Sequence, residues 1–190
     1  MPESLSRLTL WVWAHPYLVI PLFFSLGMAW TDVRTQRIPN LLNLFCALSG
    51  LGYQLGARGL GGLADGLLGL LLGFAFLIGF YLLGGMGAGD VKALAALGAW
   101  LGPRNTLLLF IFMGLSGLPL IIFFLWYRGQ LWTKIQSAWT FLVNLALFRS
   151  LSRTRANPAK PRESLPYAVA IASGMVLLCV LSQIIETGPR

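Results

Sequence analysis

The chain has 190 residues, of which 57% are hydrophobic and 11% charged, and its mean hydropathy is +0.75. A soluble domain carries about 25% charged residues, so this chain could not cover a water-facing surface, and disorder is excluded because it needs low hydrophobicity. An integral membrane protein is left, and apolar runs too long for strands favour helices over a β-barrel.

Fourteen Lys and Arg stand against six Asp and Glu. In a soluble protein a pI near 10.2 would suggest nucleic acid. In a membrane protein cytoplasmic loops collect Lys and Arg, so topology is the preferred cause and no nucleic-acid partner is expected. Cys46 and Cys179 lie in apolar segments without a Cys-x-x-Cys motif. They read as small packing residues, and neither a metal nor a cofactor is expected.

In chain order, the apolar segments are residues 10–30, 41–56, 66–83, 91–100, 107–127 and 165–185. A spanning helix needs about 20 mostly apolar residues. The second segment is short and softened by Asn43 and Gln54. The fourth is shorter still, apolar apart from Lys92, and closed by Gly102-Pro103. The first is too long for a signal-peptide core and lacks a small-residue cleavage site. It ends at Thr31-Asp32-Val33-Arg34, which reads as a stop at a charged face.

Six spans put ten of the fourteen basic residues on one side. The positive-inside rule makes that side cytoplasmic and both termini external. Residues 131–148 are apolar but carry Lys134, Gln136 and Asn144. They are expected to form an amphipathic helix in the cytoplasmic interface, with Trp132 and Trp139 near headgroup level. Residues 149–164 read as a basic linker, either touching anionic lipid or simply solvated. The fold class is thus all-α, one membrane-embedded domain over residues 1–190. Gly62-x-x-x-Gly66, Gly69-x-x-x-Gly73 and Gly98-x-x-x-Gly102 have the spacing for close helix approach. No duplicated halves are visible, which weakens an inverted-repeat transporter.

Six acids allow each to be weighed. Glu3 and Glu186 lie near the termini, Glu163 lies in the basic linker, and Asp65 reads as a helix-start residue at the outer end of the third span. Asp32 and Asp90 remain, both at the cytoplasmic ends of their spans. Asp90 follows a run of glycines and opens a segment too short to cross a bilayer alone. A loop dipping into the membrane there needs protein or a water-filled cavity around it. Two carboxylates brought together share a proton and activate a water, one as general base, the other protonating or hydrogen-bonding the oxyanion. The glycines would let a substrate backbone approach closely. Against this, Asp90 alone could be a helix cap, and Asp32 alone a membrane-boundary residue.

The segment Thr31-Asp32-Val33-Arg34-Thr35-Gln36-Arg37-Ile38-Pro39-Asn40 resembles the first aspartate motif of type IV prepilin peptidases. Gly87-Ala88-Gly89-Asp90-Val91-Lys92 resembles their second, the Gly-x-Gly-Asp motif of presenilin-type proteases. Leu165-Pro166-Tyr167-Ala168-Val169-Ala170-Ile171 resembles the start of their last helix. The resemblance implies a six-helix, metal-independent aspartic endopeptidase. Its substrate would be a prepilin or pseudopilin precursor, whose short basic leader is removed at the cytoplasmic face of the bacterial inner membrane. It implies that Asp32 and Asp90 are the catalytic pair. Gly87, Gly89, Lys92, Arg37, Pro39 and Asn40 come with it as supporting or substrate-binding candidates. Lys92 reads either as a cation favouring an ionised aspartate or as an interfacial anchor. Pro39 and Asn40 read as shaping the entry to the second span. Long family members carry paired Cys-x-x-Cys motifs linked to N-methylation; none is present here and methyl transfer is not expected. The length resembles the short peptidases of tight-adherence (Flp) pilus systems. A transporter or channel component using the same aspartates is the rival from another class, and a non-enzymatic assembly subunit is a third.

Overall fold

The computed structural model describes residues 10–82, 86–127 and 167–187. Among them every regular element is helical. Four helices, α1 (Pro16–Thr35), α2 (Asn40–Leu82), α3 (Ala88–Tyr127) and α4 (Tyr167–Thr187), are long and apolar enough to cross a membrane. The chain divides into two compact units, one of Met1–Gly117 with Pro166–Arg190 and one of Leu118–Leu165. Of the second, only residues 118–127, the last turns of α3, are described. The expected interfacial helix at 131–148 and the linker at 149–164 lie outside the described residues.

Proline and glycine set the breaks. Pro16 occupies the first turn of α1, where its missing N–H costs nothing, and it separates α1 from a short helical stretch at residues 10–14. The first span therefore begins later than expected. It also runs further, through Asp32 to Thr35, so Asp32 sits inside the last turn instead of beyond the helix. Gln36 ends α1 in the left-handed region (φ 52°), its N–H bonded to the Asp32 carbonyl at 2.8 Å. Pro39 then starts α2, its carbonyl accepting the N–H groups of Leu42 and Asn43.

Two glycines turn long helices into hairpins. Gly59 has φ 62° and ψ −148°, and Gly102 has φ 70° and ψ 177°, conformations that side chains with a Cβ rarely adopt. They divide α2 into residues 40–58 and 60–82, and α3 into 88–101 and 103–127. Across the first turn Gly62 packs on the Gln54 backbone and Gly66 on Leu51, so the halves of α2 run antiparallel. The half 60–82 then packs antiparallel to 88–101, with Gly69 against Gly98 and Gly73 against Leu94. After Gly102 the chain returns beside α2, where Phe76 and Phe110 stack at 4.6 Å. Finally α4 runs antiparallel to this last half, with Gly174 on Met113 and Ser173 Oγ donating to Ser116 Oγ at 2.8 Å.

Besides the short stretch at 10–14, the described residues thus hold six helical segments, each of which overlaps one of the six apolar runs of the sequence. Asp65 is a correction. The helix after Gly59 begins well before it, so Asp65 is interior and not a helix-start residue. Its carboxylate lies 4.0 Å from Arg58, on the exposed surface.

The short segment 88–101 explains its own length. Val91 and every residue from Ala93 to Leu101 are buried, and Lys92 is exposed. A helix that is apolar all round is an interior helix, and this one is the core of its unit. Protein covers it on every side but one, so it need not match the bilayer thickness alone.

Candidate active site

Asp32 and Asp90 come from helices far apart in sequence, yet both are 7% exposed, and Asp32 lies close enough for its charge to act on Asp90. The N-terminus of α4 joins them. The Ala168 N–H donates to Asp32 Oδ2 at 3.4 Å, and the Asp90 charge reaches Tyr167, the first residue of α4. First-turn N–H groups have no partner within their own helix, and a helix N-terminus favours negative charge. A carboxylate placed there meets a donor already pointing at it.

Asp90 is partly a capping residue. It stands in the first turn of α3, and its Oδ2 accepts the Gly87 N–H at 3.3 Å, while its own N–H donates to the Gly87 carbonyl at 3.2 Å. The Asp90 side chain thus supplies one half of a capping box; Gly87 has no side chain to supply the other, and its carbonyl takes the Asp90 N–H instead. The cap accounts for one oxygen only. Asp90 Oδ1 is buried and has no hydrogen-bond partner, so it is an acceptor, or in the protonated acid a donor, still open to a ligand.

The neighbouring candidates divide into those that shape this corner and those that do not. Gly87 leaves room for the carboxylate: a Cβ there would sit 3.1 Å from Asp90 Oδ2. Gly89 packs against Ile38, which a Cβ would meet at 3.4 Å. Lys92 Nζ donates to Asn40 Oδ1 at 2.9 Å. With the Ile38 contact, that bond ties the connection between α1 and α2 to the start of α3. Pro39 is exposed and caps α2 through its carbonyl. Arg37 is exposed, its carbonyl accepting from Thr35 Oγ1 at 3.0 Å; no contact brings it to either aspartate. Two participants were not singled out from sequence as site residues. Ile38 was hidden as an ordinary apolar residue between Arg37 and Pro39. The Ala168 N–H, a backbone group, has no residue-type signal at all.

Among the described residues no three His, Cys, Asp or Glu side chains lie together as metal ligands would. What the corner offers is two enclosed carboxylates, a helix N-terminus and a glycine-bordered approach. That is a multi-pass helical membrane protein with an acid pair buried at one end of its bundle. A model of the type IV leader peptidase family matches residues 18–122, and the chain belongs to that family. It is therefore a leader peptidase-type protease. No curated protein and no solved structure matches the chain.

Proposed function

We propose that the protein is an aspartic endopeptidase that removes the short basic leader of prepilin or pseudopilin precursors, with Asp32 and Asp90 as its catalytic pair. The observation that carries this is two buried carboxylates within range of each other's charge near the N-terminus of α4, one of them with an unpartnered oxygen. The ionised aspartate takes a proton from a water, whose oxygen attacks the scissile carbonyl. The protonated aspartate gives its proton to the developing oxyanion. Collapse of the tetrahedral intermediate breaks the C–N bond: the departing amine takes up the proton the first aspartate received, and one hydroxyl of the gem-diol returns a proton to the second aspartate as the new carboxyl group forms.

The setting we propose is the bacterial inner membrane. Six helical segments cross it, both termini are external, and the aspartates face the cytoplasm. The whole acts as one peptidase domain. The distribution of basic residues supports this orientation. The precursor's apolar helix would dock from the lipid, alongside the bundle, and present its cleavage segment at the boundary. No cofactor is required. The Pro-Tyr-Ala-Val-Ala-Ile segment favours the tight-adherence type.

The test is cleavage of a pilin-like precursor in a strain lacking its own peptidase, followed by mass. Wild type is expected to process it. Asp32→Asn and Asp90→Asn, present at normal membrane levels, are each expected to lose at least about a thousandfold in rate, since each removes one of two groups acting as a unit. Full processing by either variant would break the pair. Proton-coupled uptake into liposomes by a chain that cleaves nothing would favour a transporter.

A further inference from the structure

Among the described residues three side-chain atoms are buried without a hydrogen-bond partner: Asp90 Oδ1 and both polar atoms of Asn43, Oδ1 and Nδ2. Buried polar groups are nearly always paired, because an unmet one keeps its desolvation cost. An amide with neither its donor nor its acceptor used is therefore a feature to explain.

The seam between residues 40–58 and 88–101 locates it. At one end Gly89 touches Ile38, and Lys92 bonds to Asn40. At the other, Trp100 packs on Gly50 and donates from Nε1 to the Cys46 carbonyl at 2.9 Å. Asn43, Cys46, Gly50 and Gln54 are the buried face of this half of α2. Asn43, 5% exposed, thus stands one turn past Asn40, on the face toward α3, at the aspartate end. Between Lys92 and Trp100, residues 93–99 of α3 are all Ala, Leu or Gly, with no polar side-chain atom to offer.

We propose that the Asn43 carboxamide is a substrate-binding group of this site, pairing through Nδ2 and Oδ1 with the C=O and N–H of one precursor peptide unit next to the scissile bond. This rests on Asp32 and Asp90 being the catalytic pair. A carboxamide carries the same donor and acceptor as a peptide group, and an extended strand presents both. A backbone contact of this kind positions the chain without reading its side chains.

Asn43→Leu is the decisive substitution, since it keeps the approximate shape and removes the unmet polarity. It is expected to raise thermal stability. It is also expected to raise KM for precursor cleavage about 10- to 100-fold, the effect of one lost hydrogen-bonding partner in a buried site, with kcat within about threefold. In an Asp32→Asn background, which binds without cutting, adding Asn43→Leu should weaken precursor binding by the same factor. Asn43→Ala serves if the leucine variant does not fold. Unchanged KM and unchanged binding in both variants would overturn the proposal, as would a collapse of kcat at constant KM, which would place Asn43 on the reacting groups. Failure of the underlying pair is read separately, as cleavage that persists in Asp32→Asn or Asp90→Asn.

Discussion

Gly69 and Gly98 face each other so closely that neither leaves room for a side chain: a Cβ on either would fall against the carbonyl oxygen of the other. Apolar surface gives helices no reason to associate when lipid is equally apolar. Close backbone packing between small residues supplies it instead. Gly69→Ala and Gly98→Ala are each expected to cost about 1–3 kcal/mol, the usual range for overpacking. Gly79 lies on the same stretch of α2 with nothing within 4 Å of its would-be Cβ. Gly79→Ala should be neutral or gain up to about 1 kcal/mol, because glycine is a poor helix former. Thermal unfolding in detergent checks all three. Equal effects at Gly69 and Gly79 would mean that the seam is not what holds these segments together.

The two glycines of the Gly-x-Gly-Asp motif are not equivalent. At Gly87 a methyl would press on Asp90 Oδ2 from 3.1 Å, tighter than nine in ten real contacts, so the carboxylate must give by a few tenths of an ångström, whereas at Gly89 it would rest on Ile38 at ordinary van der Waals distance. Gly87→Ala should therefore displace the carboxylate and lower kcat/KM about tenfold or more with little change in stability, given how sharply rate depends on placement. Gly89→Ala should stay within about threefold of wild type. The comparison is made on purified protein with one precursor, and a reversed order would rule out the space argument.

The acid pair and the order of the helical segments were legible in the sequence for different reasons. Asp32 and Asp90 stood out because charges are scarce in a chain this apolar, and the motifs around them fixed their register. The segments stood out through apolar runs broken by glycine and proline. The breaks themselves were less legible. Gly59 is one of several glycines between residues 50 and 62, and only its left-handed conformation marks it as the turn. That is why the following helix begins before Asp65. The extension of α1 through Asp32 was missed because charged residues at a membrane boundary look like a stop, while a helix simply continues until a cap such as Gln36 ends it. Contacts between segments, such as Ala168 N–H to Asp32, leave no periodic trace.

Lys92 and Asn40 offer a test of how much the tie between α3 and the α1–α2 connection contributes. Both side chains are exposed, so water competes for the bond and a double-mutant cycle should give a coupling of at most about 1 kcal/mol in stability. Asn40→Asp would replace the neutral acceptor with a carboxylate and should keep the tie. Lys92→Met and Asn40→Leu, alone or combined, should each lower cleavage by a similar few-fold factor, since all three remove one bond. An additive loss in the double variant would show that the two residues act independently.

Gln54 is the counterpart of Asn43 on the same helix face, and its amide is used. Its Nε2 donates to the Trp100 carbonyl at 2.8 Å in a buried setting. That carbonyl belongs to the last turn of segment 88–101, before the turn at Gly102, where carbonyl groups run out of intrahelical partners. Gln54→Leu would leave it unmet and should cost about 1–3 kcal/mol. Asp90 lies ten residues away along the segment, about 15 Å of helix, so kcat and KM for the folded fraction should hardly move. The two amides thus separate packing from function by opposite signs. Gln54→Leu should lose stability and keep catalysis, whereas Asn43→Leu should gain stability and lose substrate. Unfolding midpoints and precursor kinetics measured side by side on the two variants decide it, and two variants that both lose stability and leave KM alone would make both amides structural.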